Sequence, residues 1–364
     1  MQKLDSVRKF GEMTINHPRL KFVVTRLNLA ISQADAGDIV FMFGPTGVGK
    51  STLANLICKS LDKESRDEDE TFDNSHMPAA VIEAPYSDAR QFSWKEFYRR
   101  ALMVLHDPLA QNKTGDPRCS AFFWRARADI RSPGHELRLA FENALHYRRV
   151  KVLIIDEAQH IAKGASSTGL HEQLDYIKSL ANLTGTVIVL IGTYELLSFR
   201  NLSGQLSRRS IDVHFPRYRF DDINDFRAFG GIVKSFAAKL PIPCDFTMTD
   251  MIEDFYIGSL GCVGILSGWI NKAIKLVVGE GSSALTKADL LASMYSYDQR
   301  NKMANELLEG EALLTPPDDS MLTLKARLGI DFSRKLAEDD KPKSKKRKYA
   351  FQRKPVRDPV GVQT

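Results

Sequence analysis

Two residue clusters in this chain have types and spacing suited to chemistry. In Gly44-Pro45-Thr46-Gly47-Val48-Gly49-Lys50-Ser51, followed by Thr52, the glycines let backbone N–H groups turn inward around phosphate oxygens. Lys50 is then spaced to reach the β- and γ-phosphates of a nucleotide, and the Ser51 hydroxyl to ligate Mg²⁺. Further along, the apolar run Lys151 to Ile155 ends in Asp156-Glu157. Asp156 is placed to hold the metal through a water, and Glu157 to polarise an attacking water as general base. Gly44 to Thr52 with Asp156 thus form the expected nucleotide-binding set, Ser51 and Asp156 the metal ligands, and Lys50 and Glu157 the catalytic pair. The expected cofactors are ATP and Mg²⁺, and the expected reaction is hydrolysis to ADP and phosphate. A chance glycine-rich turn and an acid-capped strand are the bland alternatives. The strand before the loop, the helix after it and the two motifs together argue against both.

Three more residues join this chemistry. Thr193 ends the uncharged run Thr186 to Gly192 and is a candidate to hydrogen-bond phosphate or the catalytic water. A plain strand-end cap is the alternative. Arg208 and Arg209 fall at a helix end just before the short strand Ile211 to Phe215. An arginine there can enter the nucleotide site of a neighbouring subunit and neutralise transition-state charge, which makes hydrolysis depend on assembly. Either could instead be a surface ion-pair partner, and Arg200 is an outside candidate for the same role.

A scaffold must bring these loop ends together, and the patterning predicts one. Apolar runs at 38–43, 79–84, 151–155, 186–192 and 211–215 alternate with helical spacing at 52–58, 93–105, 136–149 and 170–183. That alternation predicts a parallel sheet with helices on both faces. Ser93 and Glu96 read as a capping box. The acidic run 62–70 reads as a solvated loop. Basic residues interleave with aromatics at 118–131, a pattern equally suited to a phosphate backbone, a subunit contact or a solvated helix. The expected division is a helical extension at 1–36 with Pro18 opening its second segment, a nucleotide-binding core at 37–221, a small helical lid at 222–300, and a polar to basic tail at 301–364. The extension packs either beside an adenine or as a plain docking helix.

The formal charge of the 364 residues is +6, yet nine Lys/Arg and no acid fall within 341–357. The basic character belongs to the tail, which reads as disordered and able to contact DNA or a protein, and the remainder is net acidic. No apolar run approaches the roughly 18 residues of a membrane span, and the first residues lack a secretory h-region. The four cysteines show no zinc spacing and read as reduced. The expected compartment is the cytoplasm, with no membrane partner.

Phosphate loop, Asp-Glu strand, polar-ended strand, arginine and helical lid in this order define the plan of an AAA+ ATPase: α/β, a five-stranded parallel sheet sandwiched by helices, with a small helical lid. Within that plan, Phe43 to Ser51, Ile154-Ile155-Asp156-Glu157-Ala158-Gln159-His160, Leu190-Ile191-Gly192-Thr193-Tyr194-Glu195-Leu196 and Gln205-Leu206-Ser207-Arg208-Arg209 resemble the TnsC/TniB group. These are the AAA+ regulators of Tn7-like and related transposons, with MuB a more distant relative. The lid segment Gly261 to Leu266 is also similar, and the resemblance covers about residues 10–300. It implies a prokaryotic, nucleoid-associated ATPase that forms a homo-oligomer, a ring or helical filament of about six or seven subunits per turn. The assembly would sit on duplex DNA through backbone rather than base contacts, and bridge a target-selection protein to a transposase. Hydrolysis would drive disassembly. Val263-Gly264-Ile265 lacks the arginine that many AAA+ lids present, which suits a slow timer better than a motor. A helicase loader or initiator-type ATPase, and a nucleotide-gated scaffold with little turnover, remain alternatives.

Overall fold

The computed structural model describes residues 2–35, 37–68, 75–86, 92–107, 133–163, 165–200, 210–314 and 320–330. Strands β1 (Ile39–Phe43), β2 (Ala79–Glu83), β3 (Val152–Asp156), β4 (Val187–Gly192) and β5 (Ser210–His214) form one parallel sheet in the order β2-β3-β4-β1-β5. β1 and β3 are buried along their whole length, and so they read as unbroken apolar runs rather than alternating ones. Phe43 lies opposite Gly192 of β4 and His214 of β5, and Glu83 lies opposite Asp156. The carboxyl ends of the strands therefore meet at one rim. The chain leaves β1 for β2 and returns through β3 and β4, so the winding reverses beside β1 and a crevice opens at that rim. The expected α/β sheet is borne out.

Helix α1 (Gln2–Glu12) precedes the sheet in the chain and packs elsewhere, whereas α2 (Pro18–Gln33), α3 (Lys50–Glu68), α4 (Trp94–Val104), α5 (Pro133–Tyr147), α6 (Gln159–Ala162), α7 (Ser167–Thr184) and α8 (Leu197–Arg200) surround it. Val23 and Leu27 of α2 and Leu53 and Ile57 of α3 pack on Val40, Met42, Ile154 and Val189. The alternate strand positions, among them Phe41, Leu153, Ile155 and Leu190, are equally buried and face the opposite side, where α7 packs on β4 and α4 on β2. α4, α5 and α7 meet through Trp94, Tyr98, Phe141 and Tyr176, with the Arg138 guanidinium 4.2 Å from the Tyr176 ring centroid.

Two local expectations need correcting. The acidic run is not a loop as far as Glu68, because α3 continues through it. Its charges sit at helical spacing: Arg66 pairs with Asp62, and Ser60 donates to Glu64. The capping box at α4 is half formed. Ser93 Oγ accepts from Glu96 N–H, but the Glu96 carboxylate turns to Arg99 and Arg100 instead of the cap backbone. Two cations nearby outbid one amide.

After β5 the chain forms a helical cluster: α9 (Ile223–Ala237), a 3₁₀ turn (Met248–Met251), α10 (Ile252–Ser259), α11 (Val263–Gly279), α12 (Lys287–Ala292) and α13 (Tyr297–Ala312). Phe229, Val233, Phe236, Phe255, Trp269 and Ile274 make its core, and Trp269 Nε1 donates to Leu290 O at 2.9 Å. The polar stretch after 301 is helical to Ala312; only Leu307 and Gly310 of α13 are buried, so its apolar signal is faint in sequence. Met1–Leu313 forms one compact unit and Leu314–Thr364 another, and in the second the helix α14 spans Ser320–Arg327.

The N-terminal helices divide between the two cores. Val7, Phe10 and Ile15 join the helical cluster, whereas Leu20, Val23 and Leu27 join the sheet core. His17 stands between them as the N-cap of α2. Its Nδ1 accepts from Leu20 N–H and lies 2.8 Å from Tyr218 Oη, which itself accepts from Arg19 N–H. Arg19 also pairs with Asp225 of α9. Burial first, then the Arg19 charge, hold the His17 imidazole down to about 4, consistent with an acceptor nitrogen in a dry site.

Candidate active site

The loop after β1 needs its glycines. Gly47 and Gly49 have φ of +73° and +113°, in the region closed to most side chains. A Cβ on Gly44 would stand 2.3 Å from Phe215 O. The loop ends in Lys50, the first residue of α3, which is only 6% exposed. Its ammonium donates to Gly44 O at 3.1 Å and Pro45 O at 2.9 Å. Burial pushes its pKa down, and the carboxylates of Glu157 and Asp156 act against that shift.

Those carboxylates come from the end of β3. Asp156 is 6% exposed, and its Oδ1 accepts from the Glu157 N–H at 2.9 Å. Glu157 itself has φ of +52°, a left-handed conformation that costs a non-glycine residue about 1–2 kcal/mol. That turn aims its carboxylate into the crevice instead of along the strand. Gln159, buried at the start of α6, bridges outward from it: its Nε2 donates to Glu157 Oε2 at 2.5 Å, and its Oε1 accepts from Thr193 N–H at 3.2 Å. Gly192 makes room, since a Cβ there would lie 2.3 Å from Gln159 Oε1. Thr193, at the end of β4, has a buried Oγ1 with no hydrogen-bond partner.

The helical cluster closes the other side. Ile265 N–H in the first turn of α11 donates to Gly47 O at 3.2 Å. A Cβ on Gly264 would be 2.5 Å from the same oxygen. The lid thus touches the phosphate loop backbone to backbone, at the segment that lacks an arginine. Cys262, buried just before α11, has its thiol pushed up to about 12, chiefly by burial. Glu306, Leu307 and Gly310 of α13 line the same cleft, and Gly310 sits so close to Tyr194 that a Cβ would be 2.0 Å from its ring. Arg217 fastens this arrangement through Glu311 and the Tyr256 hydroxyl.

The cleft measures about 740 Å³ and is lined by Pro45, Thr46, Gly47, Gly49, Lys50, Ser51, Thr52, Glu157 and Thr193 among others. The structure therefore brings the phosphate loop, Glu157 and Thr193 together, with Asp156 buried beside them, whereas Gly44 and Val48 of the loop do not line the cleft. His160 and Lys163 also reach this cleft. Arg208 and Arg209 lie outside the described residues, as do residues 118–131 and the basic run of the tail. Arg200 donates to Asp212 Oδ2 at 3.0 Å. Sequence reasoning missed Gln159 and α13. The first was hidden inside a string read for its acids, the second in a polar stretch with one apolar anchor. Among the described residues no group of three or more His, Cys, Asp or Glu forms a metal cage, so a cation here would need phosphate oxygens to complete its shell.

The residues present fit a nucleoside triphosphate: two left-handed glycines, a buried ammonium, and an unpartnered hydroxyl at the strand end. The family described as AAA domain matches residues 34–199. The Aeropyrum pernix ORC1 protein, solved in complex with DNA, is similar at a TM-score of 0.50 with 14% identity, over 90% of this chain and 74% of that one. The Aeropyrum pernix ORC2 protein, in ADPNP and ADP complexes, is similar at 0.48 with 16% identity, over 79% of this chain and 71% of that one. No curated protein sequence matches. Sheet order, loop and helical cluster define the AAA+ P-loop NTPase fold. No single helix among the described residues is long and apolar enough to cross a membrane.

Proposed function

We propose that the chain is a Mg²⁺-dependent ATPase that assembles on duplex DNA as a transposition regulator, linking a target-selection protein to a transposase and leaving the DNA on hydrolysis. The observation that carries the ATPase part is the convergence of Lys50, Glu157 and the unpartnered Thr193 hydroxyl on one cleft. Lys50 would turn from its own loop carbonyls to the β- and γ-phosphates. Ser51 and Asp156 would hold Mg²⁺, which supplies charge neutralisation across those phosphates. Glu157 takes the proton of the attacking water, and Thr193 O–H donates to the phosphate or the water. Arg208 or Arg209 of a neighbouring subunit would complete the site in trans.

What supports the transposition role is the sequence resemblance at 43–51, 154–160, 190–196, 205–209 and the lid turn. An initiator-type reading has one observation in its favour, the likeness in fold to an ORC1 protein bound to DNA. Duplex-DNA binding and particle shape, measured with ATP, ADP and no nucleotide at fixed salt, separate the possibilities. Rings or filaments on DNA with ATP alone support the regulator, and monomers that bind regardless of nucleotide would sink it. Glu157→Gln should cut turnover about 10²–10⁴-fold and trap the assembly on DNA. Unchanged DNA residence would favour a scaffold instead.

A further inference from the structure

The bridge between the ends of β3 and β4 assigns a role to a residue outside the familiar motifs. Gln159 is 4% exposed, and both ends of its amide are used. The Thr193 N–H can only donate, so it fixes the amide oxygen on that side; the Glu157 carboxylate can only accept, so it fixes the NH₂ on the other. The amide therefore has one orientation. The space it occupies is reserved on the far side as well, because any side chain at Gly192 would collide with Gln159 Oε1.

We propose that Gln159 is a positioning residue for hydrolysis, a strap that sets the Glu157 carboxylate from the end of β4, where Thr193 meets the phosphate. The inference rests on the ATPase reading above. Its Nε2 holds Glu157 Oε2 and leaves Oε1 to take the water proton. Its Oε1 follows the Thr193 backbone, so a shift of that strand end on phosphate contact or loss is passed to the base. The left-handed turn at Glu157 is held by backbone bonds, from Glu157 N–H to Asp156 Oδ1, from His160 N–H to Glu157 O and from Ala158 N–H to Ile191 O, but none of these reaches the carboxylate, which Gln159 holds. A bulky buried amide with two fixed partners leaves little freedom at either end.

The test uses the full chain with Gln159→Met, which keeps length and loses both hydrogen bonds, and Gln159→Glu, which keeps the acceptor and loses the donor. Steady-state ATP hydrolysis is followed from pH 5.5 to 8.5, and nucleotide affinity is read separately with a fluorescent ADP analogue, which also reports that the site has folded. Both variants should lose about 10–100-fold in kcat, with KM and analogue affinity within about twofold of the parent. In Gln159→Glu two carboxylates share one place, so one proton is retained to higher pH than usual. That proton restores a donor toward Glu157, and the ratio of variant to parent kcat should therefore rise as pH falls. In Gln159→Met the ratio should stay flat. If Gln159→Met turns over at the parent rate, or if the loss appears in KM with kcat intact, the strap is only packing and the proposal fails while the ATPase reading stands. A parent chain that, in the presence of duplex DNA, binds the analogue yet hydrolyses no ATP overturns both together.

Discussion

Thr193 and Lys50 set contrasting problems at the scale of single residues. The Thr193 hydroxyl is buried without a partner, which costs about 1–3 kcal/mol in the absence of ligand. An isosteric Thr193→Val change should leave the fold as stable as the parent or slightly more so in chemical denaturation, while ATP turnover falls about tenfold or more. Stability and activity moving in opposite directions would be the signature of a group kept for chemistry. Equal turnover in the valine variant would return Thr193 to the role of a strand cap. Lys50 is buried but satisfied by two loop carbonyls, so its charge has a resting place that phosphate oxygens must outcompete. The phosphate loop and the Asp-Glu pair were legible from residue type and spacing alone, because their chemistry admits few substitutes. Gln159 was not. Its role exists only through contacts to residues on two different strands, and nothing in its local spacing encodes them.

At the scale of elements, α13 decides how the cleft is closed. Gly310 lies in the last turn of α13, a helical position where alanine is ordinarily better by up to about 1 kcal/mol. A Cβ there meets the Tyr194 ring at 2.0 Å, and the ring is held by its hydroxyl to His214 Nε2 at 3.0 Å. Overpacking of that kind costs about 1–3 kcal/mol, so Gly310→Ala should destabilise on balance and loosen nucleotide binding as α13 is displaced. Thermal denaturation and analogue titration of the variant check both. β1, β3 and β4 were readable because their apolar runs are too short for a buried helix and end at turn or acidic residues. α3 was read too short because charged residues at i, i+4 spacing look like a loop when only polarity is weighed, and α13 was read as tail for the same reason.

At the scale of the whole molecule, the two cores meet where Tyr218 reaches His17. A histidine held at about 4 in the folded chain and near 6.5 when unfolded leaves the unfolded state with more bound protons between those values. Stability from this site is therefore full above about pH 6.5 and is lost as pH falls toward 4. His17→Asn keeps a cap for α2 without a titrating group. Comparing the two chains by denaturation at pH 7 and pH 4.5, the parent should lose about 2–3 kcal/mol more than the variant. An equal loss would place the acid sensitivity elsewhere, with half-buried His214, lowered in the same direction, the next group to replace. The split of the first two helices has a mechanical corollary. α1 packs in one core and the body of α2 in the other, so any rotation between the cores would bend the short link Met13 to His17 and pull on the Arg19–Asp225 pair. The gap from Asp5 to Lys21 is then a built-in protractor, and a pair of dyes at those exposed positions would read the angle during turnover without touching the cleft.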